Sequence, residues 1–180
     1  ANLSSVKFAI ERLGFDAKIT DSHQQIKQAH KVILPGVGNA KHAMENIHQK
    51  QLAPVIQGLT QPVLGFCLGM QLMTESSTEL GISDTSSDTV SCLGVIPTQV
   101  KPLQANGLRL PHMGWNTLTA INDNPVFSGV NKGDYVYFVH GYAAPVSDVT
   151  IAQSHYGEHF SAAIGYKNFV GCQFHPERSS

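Results

Sequence analysis

The sequence predicts an α/β fold: a doubly wound, mostly parallel sheet with helices on both faces, extended by antiparallel β-hairpins in its second half. Two observations carry this. Up to Met73, short apolar runs alternate with helical periodicities, a pattern that implies a parallel sheet covered on both sides. From residue 89 onward the segments become short, β-rich and separated by Gly, Asn and Pro, which suits hairpins joined to that sheet better than a separate domain.

Leu3, Val6, Ile10 and Leu13 follow helical spacing, with Asn2 able to cap the helix and Gly14 to stop it. A short strand is expected at residues 17–19, then a polar helix from Ser22. Residues 31–34 read as a buried strand that runs into Pro35-Gly36-Val37-Gly38, and residues 39–49 as a helix. Residues 62–66 read as a second buried strand, followed by a helix through Met73. In the second half, strands are expected at 94–100, 115–120, 135–140, 150–156, 160–166 and 169–174, while the Ser/Thr/Asp stretch 83–89 reads as a surface loop. A doubly wound fold normally opens with a strand. This sequence opens on a helix and stops at Arg178-Ser179-Ser180, where a helix would be expected to start, so residues 1–180 are expected to be one domain without its first strand and last helix.

With 180 residues, 42% of them hydrophobic and 14% charged, the chain is expected to bury a substantial core and to be soluble. The formal net charge of −1 comes without a Lys/Arg stripe, so nucleic acid is not an expected partner. No stretch approaches the roughly 18 apolar residues of a membrane span and no signal-like start is present, which makes the cytoplasm the expected location. The three cysteines, Cys67, Cys92 and Cys172, lack C-x-x-C spacing, so neither a disulfide framework nor a structural zinc site is expected. Cys172 sits in an apolar strand and reads as core.

Local context promotes one of the three. Gly65-Phe66-Cys67-Leu68-Gly69 joins a strand to a helix in the small-x-nucleophile-x-small form of a nucleophile elbow. The turn is too sharp for bulky side chains two residues either side, and it sets the sulfur at a helix N-terminus, where backbone N–H groups favour a thiolate and can hold an oxyanion. A buried cysteine beside two packing glycines is the plainer alternative. A nucleophilic thiol also needs a proton carrier. Among nine histidines His175 stands out, because His175-Pro176-Glu177 follows the strand at 169–174. Residues two apart in an extended segment share a side, so Glu177 can hold one imidazole nitrogen while the other faces the thiol. His155-Tyr156-Gly157-Glu158-His159 also fits a zinc-peptidase pattern, but that chemistry needs a helix, and the flanks here are strand-like with a hairpin turn between them. No metal and no cofactor is expected.

The Gly36–Gly38 loop follows a buried strand as the elbow does, and loops at the carboxyl ends of parallel strands converge on the site of a doubly wound sheet. Its glycines let the backbone approach a ligand, and its spacing is not that of a phosphate-binding loop. Gln71 lies one helical turn after Cys67 and can face the same pocket, or be an ordinary surface glutamine.

Together, Pro35–Gly38 (PGVG), residues 65–71 (GFCLGMQ) and His175–Glu177 (HPE), in that order, resemble the class I, or triad, glutamine amidotransferases over essentially the whole chain. The resemblance implies that Cys67 attacks the side-chain amide of L-glutamine. It implies that His175 protonates the departing ammonia and then activates water to release glutamate, while Glu177 orients His175. It makes the N–H of Leu68 and one from the Gly36–Gly38 loop, at Gly36 or Val37, the oxyanion donors, and sets Gly38, Gln71 and the backbone at Gly141 and Tyr142 around the glutamine. Within the class, residues 111–116 (PHMGWN) and 137–142 (YFVHGY) resemble the glutaminase subunits of imidazole glycerol phosphate synthases. That likeness implies a heterodimer with a (β/α)8-barrel cyclase subunit, which takes the ammonia through a channel to make a histidine precursor. It would set Met113 and Trp115 at the subunit interface, although core packing is as good a reading of Met113.

The sequence departs from the family pattern after PGVG, where Asn39-Ala40-Lys41-His42 lacks an aromatic residue, and at Arg178, where related chains frequently carry Lys. Three other readings stay open: a glutaminase subunit of another synthase, a cysteine peptidase on the same elbow, and a non-catalytic subunit that keeps the fold for assembly.

Overall fold

Leu34, Gly65 and Gly171 stand side by side in three adjacent parallel strands, and that register positions the rest of the molecule. The structure is a computed structural model that describes residues 2–80 and 89–179. The loop expected at 83–89 lies outside the described residues except for Thr89.

The helices of the first half start where the sequence supplies caps. Helix α1 (Leu3–Arg12) begins at Asn2, whose side chain accepts the N–H groups of Ser4 and Ser5 at 2.9 and 3.3 Å. Helix α2 (His23–Gln28) is capped by Ser22, and α3 (Ala40–Gln49) by Asn39, which accepts from the His42 N–H at 2.9 Å. Strand β1 (Val32–Leu34) precedes α3. A short helix, α4 (Ala53–Gln57), has Pro54 in its first turn and was not foreseen. Strand β2 (Val63–Phe66) then runs through Cys67 into α5 (Leu68–Leu72).

The later strands are β3 (Ser76–Ser77), β4 (Val90–Ser91), β5 (Gln99–Pro102), β6 (His112–Thr117), β7 (Ala120–Ile121), β8 (Tyr135–His140), β9 (Tyr142–Ala143), β10 (Thr150–Tyr156), β11 (Glu158–Tyr166) and β12 (Phe169–Cys172). The main sheet has the order β1-β2-β12-β11-β10-β7, in which β1, β2 and β12 are parallel and the remaining pairs antiparallel. The expected hairpin extension of a parallel sheet is therefore found. Beside it lie a small sheet, β4-β3-β5-β9, and a two-stranded ribbon, β6–β8.

Three expectations need correction. Residues 17–19 form no strand, because no described strand offers them a ladder. The strand expected at 94–100 starts only at Gln99. Before it, the N–H of Gly94 goes to the Thr74 carbonyl and those of Val95 and Ile96 to the Met73 carbonyl, closing the end of α5 instead of a ladder. The strand expected at 115–120 is split between two partners, β6 pairing with β8 and β7 with β10. At the break, Leu118 donates to the Asp134 carbonyl and Thr119 to that of Gln153.

Apolar residues fill both faces of the main sheet, as a doubly wound fold requires. One cluster gathers Ile26, Met44, Ile47, Val55 and Ile56 from α2–α4 with Met70, Leu72 and Val63. The other sets Val6 of α1 and Val136 and Phe138 of the ribbon against Phe66, Phe160 and Ala163. From α1 itself, Val6 is buried and Ile10 packs beside it, while Leu3 and Leu13 are exposed. No helix among the described residues is long and apolar enough to cross a membrane.

Candidate active site

Three loops leave the carboxyl ends of β1, β2 and β12 and meet in one cleft, as the register of those strands dictates. Gly36, Val37 and Gly38 come from the first, Cys67 and Leu68 from the second, and His175, Glu177 and Arg178 from the third; Asn2, Ser5 and Val139 complete the wall. The cleft measures about 350 Å³.

Cys67 occupies the turn between β2 and α5 with φ 52° and ψ −113°, a conformation that non-glycine residues rarely adopt. Such strain costs on the order of 1–3 kcal/mol and persists only where the surroundings enforce it. Here they do. The Cys67 N–H is bound to the Cys172 carbonyl at 2.8 Å, and its carbonyl accepts the Gln71 N–H at 3.2 Å. The elbow glycines are forced by close approach: a Cβ on Gly69 would stand 1.7 Å from the Leu34 carbonyl oxygen, and one on Gly65 would stand 2.8 Å from the Gly69 backbone. The sequence motif therefore reports a helix pressed onto strand ends, and not only a tight turn.

Two polar groups besides His175 meet the thiol. It donates to the Val139 carbonyl at 3.7 Å and accepts from Gln173 Nε2 at 3.7 Å. His175 opens a short 3-10 turn, Pro176–Arg178, and its Nδ1 lies 2.9 Å from Glu177 Oε1, both side chains being largely shielded. Burial opposes charge on this imidazole, but hydrogen bonds with Cys67 and Glu177 outweigh it and raise the His175 pKa to about 9. The Glu177 carboxyl is likewise held low by the His175 hydrogen bond against its own desolvation. The pairing therefore favours the imidazolium, so His175 can take the proton that the Cys67 thiol gives up while Glu177 holds its other side. Such an arrangement can attack an electrophilic carbonyl through sulfur and return a proton to a departing amine.

The other predicted site residues separate into two groups. Gly36, Val37, Gly38 and Leu68 line the cleft with Cys67, His175 and Glu177, and Val37 is exposed. Gln71 is buried behind Cys67, its Nε2 donating to Gln173 Oε1 at 2.9 Å and to the Tyr142 carbonyl at 3.2 Å; neither it nor Gly141 nor Tyr142 reaches the cleft wall. Met113 and Trp115 project from the ribbon, 63% and 53% exposed, so core packing is not the role of Met113. Cys172 is buried and its thiol pKa pushed well up by burial, while burial raises that of Cys92 to about 11. The His155–His159 pattern sits on the β10–β11 hairpin, which reverses at Gly157, and no cluster of three or more potential metal ligands occurs among the described residues.

Sequence reading missed Gln173, which touches both Cys67 and Gln71. The available signal was its place two residues before His175 in an extended segment, hence on the same side. It also missed a buried pair in the ribbon: His112 Nδ1 lies 2.9 Å from His140 Nε2, and His140 Nδ1 lies 2.9 Å from the Tyr142 carbonyl. That carbonyl only accepts, so the directions are fixed: His140 donates to it through Nδ1 and accepts from His112 through Nε2. Burial lowers the two imidazole pKa values to about 4 for His112 and about 3 for His140, keeping both neutral.

The family model for glutamine amidotransferase class-I matches residues 2–180. A relative from Colwellia psychrerythraea, imidazole glycerol phosphate synthase subunit HisH, is 64% identical over all of this chain and 83% of its own length. One of the same description from Shewanella oneidensis is 55% identical, covering all of this chain and 86% of the relative. The chain belongs to the class I glutamine amidotransferases, in the family of imidazole glycerol phosphate synthase subunit HisH.

Solved structures agree on the amidotransferase fold. One described as a glutamine amidotransferase superposes with a TM-score of 0.71 at 16% identity, covering 98% of this chain and 86% of that one. The glutaminase domain of Trypanosoma brucei CTPS with bound acivicin gives 0.64 at 12% identity, covering 97% and 80%. At these identities the likeness speaks for the fold alone.

Proposed function

We propose that this class I glutamine amidotransferase hydrolyses L-glutamine to glutamate and ammonia with Cys67, His175 and Glu177 as its catalytic triad. The observation that carries the reading is the strained Cys67 at the mouth of a cleft shared with the His175–Glu177 pair. Cys67 passes its thiol proton to His175 and adds to the side-chain carbonyl carbon, whose oxyanion is held by the Leu68 N–H and one N–H from Gly36, Val37 or Gly38. His175 gives its proton to the leaving ammonia; it then takes one from water, which releases glutamate from the thioester. Gln71 and the backbone of Gly141 and Tyr142 would hold the glutamine if the cleft widens behind Cys67 on binding.

We further infer that the ammonia passes through an internal channel to a (β/α)8-barrel cyclase subunit, which uses it to make imidazole glycerol phosphate in histidine biosynthesis in the cytoplasm. Support comes from the named relatives and from Met113 and Trp115, two large apolar side chains more than half exposed on the ribbon, as interface anchors would be. Activity is expected to depend on this heterodimer, because Gly38, at φ +87° with nothing within 4 Å of a Cβ position, lets the oxyanion loop turn its N–H away until the partner docks.

The test is glutamine turnover by the chain alone and with its cyclase subunit, using wild type and Cys67→Ala. Turnover is expected only in the wild-type complex. Ammonia release undiminished in Cys67→Ala would sink the mechanism, and equal rates for isolated and assembled wild type would refute the partner dependence. Cleavage of peptides in place of glutamine would instead favour a peptidase.

A further inference from the structure

We infer that Gln173 is a further member of the nucleophile's machinery: its amide stabilises the attacking sulfur of Cys67 and fixes the orientation of Gln71. The inference rests on the reading of Cys67 as nucleophile and deepens it.

Gln173 is fully buried, at 0% exposure, immediately beyond β12. A buried polar side chain is retained at a cost unless its hydrogen bonds are made. Its backbone N–H is anchored on the Ala162 carbonyl at 2.8 Å, so the side chain leaves from a fixed point. Its Nε2 lies 3.7 Å from Cys67 Sγ, and its Oε1 accepts from Gln71 Nε2 at 2.9 Å. One amide therefore spans the nucleophile and the predicted substrate-binding glutamine.

The directions of these bonds assign work to each end. The Cys67 thiol donates to the Val139 carbonyl, so in the resting thiol the sulfur accepts from Gln173. When the thiol loses its proton, the Val139 carbonyl stops being an acceptor for it. The Gln173 N–H then becomes a charge-assisted donor, and its bond strengthens. It weakens again once the sulfur is acylated, so the contact favours the thiolate over the forms before and after it. At the other end, Gln71 spends Nε2 on Gln173 and on the Tyr142 carbonyl. Its Oε1 is therefore the atom left to meet a ligand, and that atom only accepts. The Tyr142 carbonyl is held in turn by His140 Nδ1, which keeps the Gln71 amide from reversing. Once the cleft widens behind Cys67, Gln173 thus presents Gln71 as an acceptor for a donor group, such as the ammonium or amide N–H of a free amino acid.

The experiment uses the enzyme assembled with its cyclase subunit and reads two quantities: the pH profile of Cys67 alkylation by iodoacetamide, mapped by peptide mass, and the kcat and KM for glutamine. Charged and titratable groups near the thiol are His175, Glu177, Arg178 and Cys172, and none of them is altered by the variants. Gln173→Met keeps the shape and removes both bonds. It is expected to slow Cys67 alkylation at neutral pH on the order of tenfold, to move the profile to higher pH, and to lower kcat by a similar factor. Gln173→Glu keeps the acceptor for Gln71 but sets a carboxylate beside the sulfur, so its profile should move further in the same direction. Gln71→Met leaves the Gln173 N–H on the sulfur; it should raise KM while shifting the alkylation profile less than Gln173→Met. A folded Gln173→Met complex whose alkylation profile superimposes on wild type overturns the inference, as does a Gln71→Met profile that moves as far as that of Gln173→Met. If both Gln173 variants fail to fold, the Gln71→Met comparison still decides: an unchanged KM overturns the inference. Label on Cys67 with unshifted profiles sinks the Gln173 role alone, whereas activity that survives Cys67→Ala sinks the nucleophile reading beneath it.

Discussion

Val139 and Cys67 meet through a main-chain carbonyl, the thiol donating to the Val139 oxygen at 3.7 Å. One pleat earlier on the same strand, the Tyr137 carbonyl accepts the His175 N–H at 2.9 Å. Both halves of the proposed nucleophile–base pair therefore rest on β8, and β8 is paired with β6, where Met113 faces Val139 and Trp115 faces Tyr137. The ribbon carries the proposed partner surface on its exposed side and touches the catalytic groups along its free edge. Replacing Trp115 by Ala should weaken binding of the cyclase subunit by about 2 kcal/mol, roughly thirtyfold in Kd, as for a central aromatic anchor. Iodoacetamide labelling of Cys67 in the isolated chain should stay at the wild-type rate. Titration calorimetry and labelling kinetics check the two halves separately.

The raised pKa of His175 sets an alkaline limit on turnover. The imidazolium proposed to protonate the leaving nitrogen is present below about pH 9 and is lost above it, so kcat/KM should fall on the alkaline side with an apparent pKa near that value. Glu177→Gln removes one of the two partners that raise it. The alkaline limb of the variant should move toward neutral pH, with kcat reduced by about 10–100-fold. A limb that stays in place would show that the carboxylate does not hold the proton.

His112 and His140 predict an acid sensitivity of the fold and not of the chemistry. Their pKa values, about 4 and about 3, lie below the unfolded value near 6.5, so the unfolded chain binds more protons throughout that window. The stability they contribute is present above pH 6.5 and is lost as pH falls toward 4, at up to about 1.4 kcal/mol per pH unit for each imidazole. Urea midpoints measured between pH 7 and pH 5 should fall accordingly. In His112→Gln the slope should be shallower, because one of the two titrating groups is gone.

Two glycine substitutions should behave oppositely. Gly69→Ala drives a Cβ to 1.7 Å from the Leu34 carbonyl oxygen, where backbone on both sides leaves nothing to yield. It should destabilise the protein by at least about 3 kcal/mol, or prevent folding, through overpacking between helix and strand. Gly38→Ala meets no atom within 4 Å and suffers only its positive φ of +87°, for a loss of about 1 kcal/mol. Its effect should appear in turnover by the complex, where the oxyanion loop must change conformation. Chemical denaturation and steady-state rates on the same preparations separate the two cases.

The parts legible in the sequence are those written in neighbouring residues. Asn2, Ser22 and Asn39 announce their helices because a cap is a local bond, and the glycines around Cys67 announce the elbow because the crowding they relieve lies next to the nucleophile. Glu177 was readable as the His175 partner because two residues separate them. Gln173 was not singled out, because its partners Cys67 and Gln71 lie 106 and 102 positions away and only the sheet brings them together. The His112–His140 pair, joined by the ribbon's register across 28 positions, was hidden for the same reason. The strand expected at residues 17–19 failed in the opposite way, since its apolar pattern is present and no strand among the described residues pairs with it.

The in-register alignment of Leu34, Gly65 and Gly171 acts as a ruler for the chemistry. Neighbouring strands stand about 4.8 Å apart, so the Gly36–Gly38 loop and the segment that leads to His175 each begin one such step from the strand that leads to Cys67, on opposite sides. That spacing is set by backbone ladders and not by loop side chains. Lengthening or recolouring the rim would change which molecules enter, while the distance available to a single carbonyl group at the centre would stay the same.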